Sequence, residues 1–177
     1  MSGSLYGQLL GADAARLPAA VLAMHDGIAA ASGEASVERG GGLLARLAAW
    51  MVGFPKATQC VPLRMTFERR GEAELWTRDF GGAGFQSLLS VGAGRNQGLL
   101  VEKVGPLSFA MALVAGDGAL QLKMRRWAAF GLPLPLALAP RSQAVESAEG
   151  GIFRFHVELS HPLTGLIVRY RGWLRPE

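Results

Sequence analysis

Between residues 60 and 174, apolar and polar side chains alternate in one short segment after another. The clearest run is 152–160, where Phe153, Phe155, Val157 and Leu159 fall on one side and Arg154, His156, Glu158 and Ser160 on the other. A period of two marks a half-buried strand, because successive side chains point to opposite faces of a sheet. The same reading predicts strands over 61–70, 74–80, 85–91, 99–104, 107–115, 120–127, 142–147 and 166–174. Glycine-containing turns separate them. Among these, Gly116-Asp117-Gly118 suits a hairpin, since Asp-Gly tolerates the positive φ of the primed turns. A proline-rich stretch, 132–140, interrupts the series.

The first third has a helical period instead. Leu17, Val21, Met24 and Ile28 recur at three- and four-residue spacing, Pro18 suits a first helical turn, and Gly33 offers a stop. A second helix over 43–52 is apolar nearly all round, so it needs cover on most sides or a sheet to press against. The pattern therefore predicts one α+β domain over 1–177. Helices occupy 1–57, and an antiparallel sheet over 58–177 curls into a barrel or half-barrel of eight or nine strands.

Composition supports a large interior: hydrophobic residues make up 50% of the 177 and charged residues 18%, which excludes disorder. The single cysteine, Cys60, forbids an intramolecular disulfide, and no basic-then-apolar leader opens the chain, so a cytoplasmic setting is expected. The most apolar charge-free window, 127–140, is interrupted by Pro133 and Pro135, so no membrane span is expected. The net charge is +4, and Arg64, Arg69, Arg70, Arg125, Arg126, Arg169 and Arg171 are scattered among core positions. A nucleic-acid binder would carry a basic stripe interleaved with aromatics, so none is expected as a partner.

Catalytic signatures are missing. Gly92-Ala93-Gly94-Arg95-Asn96-Gln97-Gly98 has its third glycine one place late for a dinucleotide loop, and a strand follows it, so it reads as a hairpin loop. No serine sits in a nucleophile elbow. His156 and His161 would face opposite sides of one strand, and His25 reads as a cap or surface residue, which argues against a metal. Cys60 reads as a small buried hydrophobe, and Glu68, Glu72, Glu74 and Asp79 pair with nearby arginines, Arg78 included. The chain is thus read as a non-enzymatic protein without cofactor or metal.

One constellation points to binding. Leu63, Met65 and Phe67 continue in register to Arg69, and Leu120, Leu122 and Met124 continue to Arg126. Leu166, Val168 and Tyr170 add a third strand with a polar tip. Facing the inside of a curved sheet, these residues would form an apolar cavity with cationic groups at its mouth. Arg69, Arg126, Tyr170, Met65, Phe67 and Met124 are then the candidate ligand-binding residues, and the ligand a hydrophobic or anionic amphipathic small molecule. The competing explanation is that a strand's last inward residue is free to be polar where it exits into solvent.

Several blocks resemble a bacterial family of unknown function, number 4166 among such domains. They include Leu5-Tyr6, Val37-Glu38-Arg39-Gly40, Gly53-Phe54-Pro55, Thr66-Phe67-Glu68-Arg69, Trp76-Thr77-Arg78-Asp79-Phe80-Gly81 and Gly131-Leu132-Pro133-Leu134-Pro135. The most distinctive is Val168-Arg169-Tyr170-Arg171-Gly172-Trp173-Leu174. Family members occur alone or appended to oxidoreductase-like proteins resembling saccharopine dehydrogenase. The resemblance implies a domain boundary and no catalytic residue. It also raises a second possibility, a protein-interaction or regulatory domain serving an oxidoreductase partner. A cavity inside the sheet favours the small molecule, and an exposed apolar patch on the helical side favours the partner.

Overall fold

The computed structural model describes residues 3–177. Two short helices, α1 (Leu5–Leu10) and α2 (Ala19–Met24), precede strand β1 (Ala30–Arg39), and α3 (Leu43–Val52) follows it. The remaining strands are β2 (Thr58–Arg70), β3 (Ala73–Phe80), β4 (Gly84–Val91), β5 (Leu100–Val104), β6 (Leu107–Gly116), β7 (Ala119–Ala129), β8 (Leu132–Leu134), β9 (Arg141–Glu149), β10 (Ile152–His161) and β11 (Gly165–Pro176). Every pairing is antiparallel. The order β6-β5-β4-β3-β2-β1-β11-β10-β9-β7 closes through β6–β7, giving a ten-stranded barrel, with β8 an appendage on β7. Closure removes the sheet edges that would otherwise expose unpaired backbone groups.

The expected count of eight or nine strands falls short by β1. Its sequence, Ala-Ala-Ser-Gly-Glu-Ala-Ser-Val-Glu-Arg, is short of the β-branched and aromatic residues that signal strands, and a bulge between Ala35 and Val37 breaks its alternation. The helical segment predicted over 1–57 therefore contains a strand. Gly33 is not a helix stop: a Cβ there would lie 2.0 Å from the Trp173 carbonyl oxygen, so glycine permits the close approach of β1 to β11. The helix predicted from Leu17 onward is α2, which ends at Met24, and Gly27 turns the chain with φ 74°.

Inward positions form one core, including Val37, Leu63, Phe80, Leu89, Leu100, Leu120, Phe153, Phe155, Val168 and Leu174. The alternation predicted for β10 holds, with Phe153 and Phe155 buried and His156 on the outer wall opposite Val145 and Arg171. Outside, Arg169 joins three strands by donating to Glu158 and Glu38, each at 2.7 Å. Cys60 is exposed on the outside of β2, not buried as predicted. No helix among the described residues is long and apolar enough to cross a membrane.

Because the strands alternate direction, the barrel has two distinct ends. At one, α1 and α2 pack against β4, β5, β6 and β9, β10, β11. At the other lies α3, between β1 and β2.

Candidate functional site: a polar waist inside the barrel

The interior is not filled by side chains alone. A cavity of about 140 Å³ lies between the α3 end and the middle of the barrel, bordered by Ala48, Met51, Val52, Leu89, Met111, Leu122, Met124 and Ala144. A smaller one of about 60 Å³, bordered by Met24, His25, Met65, Phe67, Phe153 and Phe155, lies toward α2. Trp76, Arg78, Glu146, Val157 and Tyr170 border both, forming a waist between two lobes. The larger volume is comparable with an engineered apolar cavity that admits a benzene-sized guest.

The waist is built by register. On β3, Trp76, Arg78 and Phe80 all point inward, which sets a guanidinium inside the barrel. Arg78 Nη1 donates to Ser87 Oγ of β4 at 2.7 Å, and Nη2 donates to Glu102 Oε1 of β5 at 3.2 Å. Its guanidinium carbon lies 5.0 Å from the Phe85 ring centroid and 5.4 Å from that of Trp76. A buried cation persists only when paired and hydrogen-bonded, and Glu102 and Ser87 meet that condition.

Across the barrel, His25 Nε2 donates to Glu146 Oε2 of β9 at 2.6 Å. The imidazole stacks on the Tyr6 ring at 3.6 Å, with Trp76 beyond. Donation to a carboxylate places the proton on Nε2. Among the described residues Nδ1 is buried without a hydrogen-bond partner. Burial pushes the Tyr170 phenol up to about 12, the nearby Glu102 and Glu146 adding to the shift and Arg78 opposing it. Burial, followed by the charge of Glu146, raises Tyr6 well above the ordinary phenol value.

The sequence-predicted residues are only partly brought together. Tyr170 borders both lobes, Met65 and Phe67 the smaller one, and Met124 the larger. Arg69 keeps the inward register, pairing with Glu74, but stands at the α2 end beside a shallow hollow shared with Met24 and His25, and donates to the Gly71 carbonyl at 3.2 Å. Arg126 faces outward. A bulge at Arg125 sets Met124 opposite inward Met111 but Arg126 opposite Ala110, so the register flips and Arg126 donates to the Arg95 carbonyl on the outer wall. Moreover, β2 runs toward the α2 end and β7 toward the α3 end, so the two arginines cannot guard one mouth.

The residues that do meet inside were read as surface groups. His25, expected as a cap or surface residue, does occupy the C-cap position of α2 but is buried, and so is Arg78, expected in a surface ion pair. A signal was present: Arg78 lies between inward Trp76 and Phe80, and Glu102 between inward Leu100 and Val104. Alternation alone puts both charges in the core register.

Among curated proteins no match to the chain is found. The family model described as Domain of unknown function (DUF4166) matches residues 17–174, which takes in the barrel strands save the last two residues of β11, most of the lining of both lobes and most of the waist. The chain belongs to the DUF4166 family.

Proposed function

We propose that the barrel is a non-enzymatic binder of a small amphipathic molecule. Its apolar body, about the size of one ring, occupies the larger lobe, and its compact polar head meets the waist. The observation that carries this reading is the two-lobed cavity with hydrogen-bonding groups bordering both lobes. Arg78, Glu146, Tyr170 and the bare Nδ1 of His25 supply donor and acceptor chemistry there, while Met65, Phe67 and Met124 supply adaptable apolar wall. Arg78 takes the place of Arg69 and Arg126 as the cation within reach of a ligand head.

The rival reading, a protein-interaction domain serving an oxidoreductase, has one observation in its favour, the exposed apolar residues of α3. Native mass spectrometry of freshly purified full-length protein separates the two. A co-purified small mass, or uptake of phenylbutyrate or phenylbutanol that Ala144→Leu abolishes by filling the larger lobe, supports the binder. No uptake of either compound by the wild type, with a stoichiometric protein partner instead, supports the rival.

A further inference from the structure

The helix α3 is packed inside out. Its buried residues are the small Ala45 and Ala49, while Leu43 (82% exposed), Leu44, Leu47, Trp50 (75%) and Met51 form a solvent-facing stripe. A helix covering a barrel ordinarily turns its large apolar side chains inward. The neighbouring tips repeat the pattern. Leu163 is 79% exposed in the β10–β11 turn, and Phe130 is 73% exposed between β7 and β8, with Leu132 beside it. These tips adjoin one another: the Phe130 amide donates to the Pro106 carbonyl, a Cβ on Gly105 would lie 3.5 Å from the Met51 carbonyl, and one on Gly42 would lie 3.8 Å from that of Thr164.

Phe130 is held there against its backbone preference. With φ 52° it precedes Gly131 at φ 78° in a turn of the kind that favours Asn-Gly, and comparable turns in the barrel use Asp117-Gly118 and Gly150-Gly151. A bulky residue at positive φ on an exposed tip points to a function for its side chain.

Charge selects the partner. The five connections at this end, residues 40–57, 81–83, 105–106, 130–140 and 161–164, contain no Asp or Glu, and carry Arg46 and Lys56. At the opposite end lie Asp13, paired with Arg16, Glu177, paired with Arg64, and Asp26, Glu72 and Asp117. Exposed Asp79 also reaches the α3 end, accepting from the Gly82 amide at 2.6 Å, but Arg46 and Lys56 leave the balance positive. Exposed Leu, Trp and Phe on separate tips, with a net positive charge among them, suit the boundary of an anionic bilayer better than a protein surface of mixed charge. Trp50 is the residue type favoured at headgroup depth. We infer that the α3 end of the barrel docks peripherally on anionic lipid membranes, inserting Trp50, Phe130 and Leu163 while Arg46 and Lys56 meet the headgroups. The docking holds whether or not the barrel carries a ligand. Since Ala48, Met51 and Val52 also border the larger lobe, it would place that lobe next to the lipid.

Flotation of the full chain with vesicles tests this. Vesicles of phosphatidylcholine with roughly one-third phosphatidylglycerol should carry the protein upward, those of phosphatidylcholine alone less so, and added salt should weaken the association. Brominated lipid should quench tryptophan emission in the wild type, and less in Trp50→Phe. Phe130→Asn should lower partitioning roughly tenfold or more, the transfer of one phenyl group, while leaving the melting temperature equal or higher because asparagine suits the turn. Arg46→Gln and Lys56→Gln should each lower the preference for anionic vesicles about fivefold. The proposal is overturned by no flotation with either vesicle, or by flotation that Phe130→Asn and Trp50→Ser leave unchanged. It is equally overturned if the chain forms a dimer that Leu47→Glu disperses and binds no vesicle, the face then being an interface between copies.

Discussion

The chain has two tyrosines, Tyr6 and Tyr170, and both lie inside the barrel, so raising the pH titrates the interior directly. A phenol ordinarily ionises near 10, and burial holds Tyr170 neutral to about 12. The unfolded chain releases these protons first, so it is favoured as pH rises past about 10, and Tyr170 destabilises the fold progressively up to about 12. Two units of pKa correspond to about 3 kcal/mol for this one residue, a large share of a typical domain's stability. Tyrosinate absorbance read against pH measures the effect. At pH of about 10.5 ordinary phenols would be about three-quarters ionised, whereas a phenol with a pKa near 12 would be about 3% ionised. The expected curve is flat through this region, then rises steeply as the barrel unfolds in alkali. The same chain in concentrated urea should titrate near the ordinary value. A smooth titration centred near 10 in folded protein, with circular dichroism unchanged, would refute a water-excluded waist.

Other expectations follow from the same contacts. Arg78→Met strands the largely buried Glu102 carboxylate and should cost about 3–5 kcal/mol in urea melts, whereas adding Glu102→Leu should recover much of that loss. Phe155→Ala should cost about 3–5 kcal/mol and His156→Ala should stay within about ±0.5 kcal/mol; the reverse order would mean that the β10 register is inverted.

How far the sequence foretold this molecule depends on the residue. Nine strands were legible because their inward sets are large and apolar, as in Phe153-Phe155-Val157-Leu159. The tenth, β1, was hidden by alanine, serine and glycine, whose fitness for a strand rests on how closely β11 approaches. Arg78, Glu102 and Glu146 were legible as core-register positions but not as partners. Arg78 on β3 finds Glu102 on β5 across the intervening strand β4, 24 residues on, and His25 finds Glu146 across 121 residues, a pairing that only the tertiary fold creates. Arg126 was misplaced because a single bulge at Arg125 inverts every later side chain of its strand. The orientation of α3 was illegible for another reason: a helix apolar all round does not say which face it leaves uncovered.

The most direct test of a hollow, ligand-receiving barrel is the stability of Ala144→Leu, whose side chain would grow into the larger lobe. If the space is empty, the added methyl groups fill it, and ligand-free protein should unfold at equal or higher urea concentration than the wild type. The variant should also lose the rise in melting temperature that a bound amphipath gives the wild type, about 2.7 kcal/mol at a hundredfold excess over Kd. A loss of about 1–3 kcal/mol, the penalty of overpacking a core already full, would contradict the account.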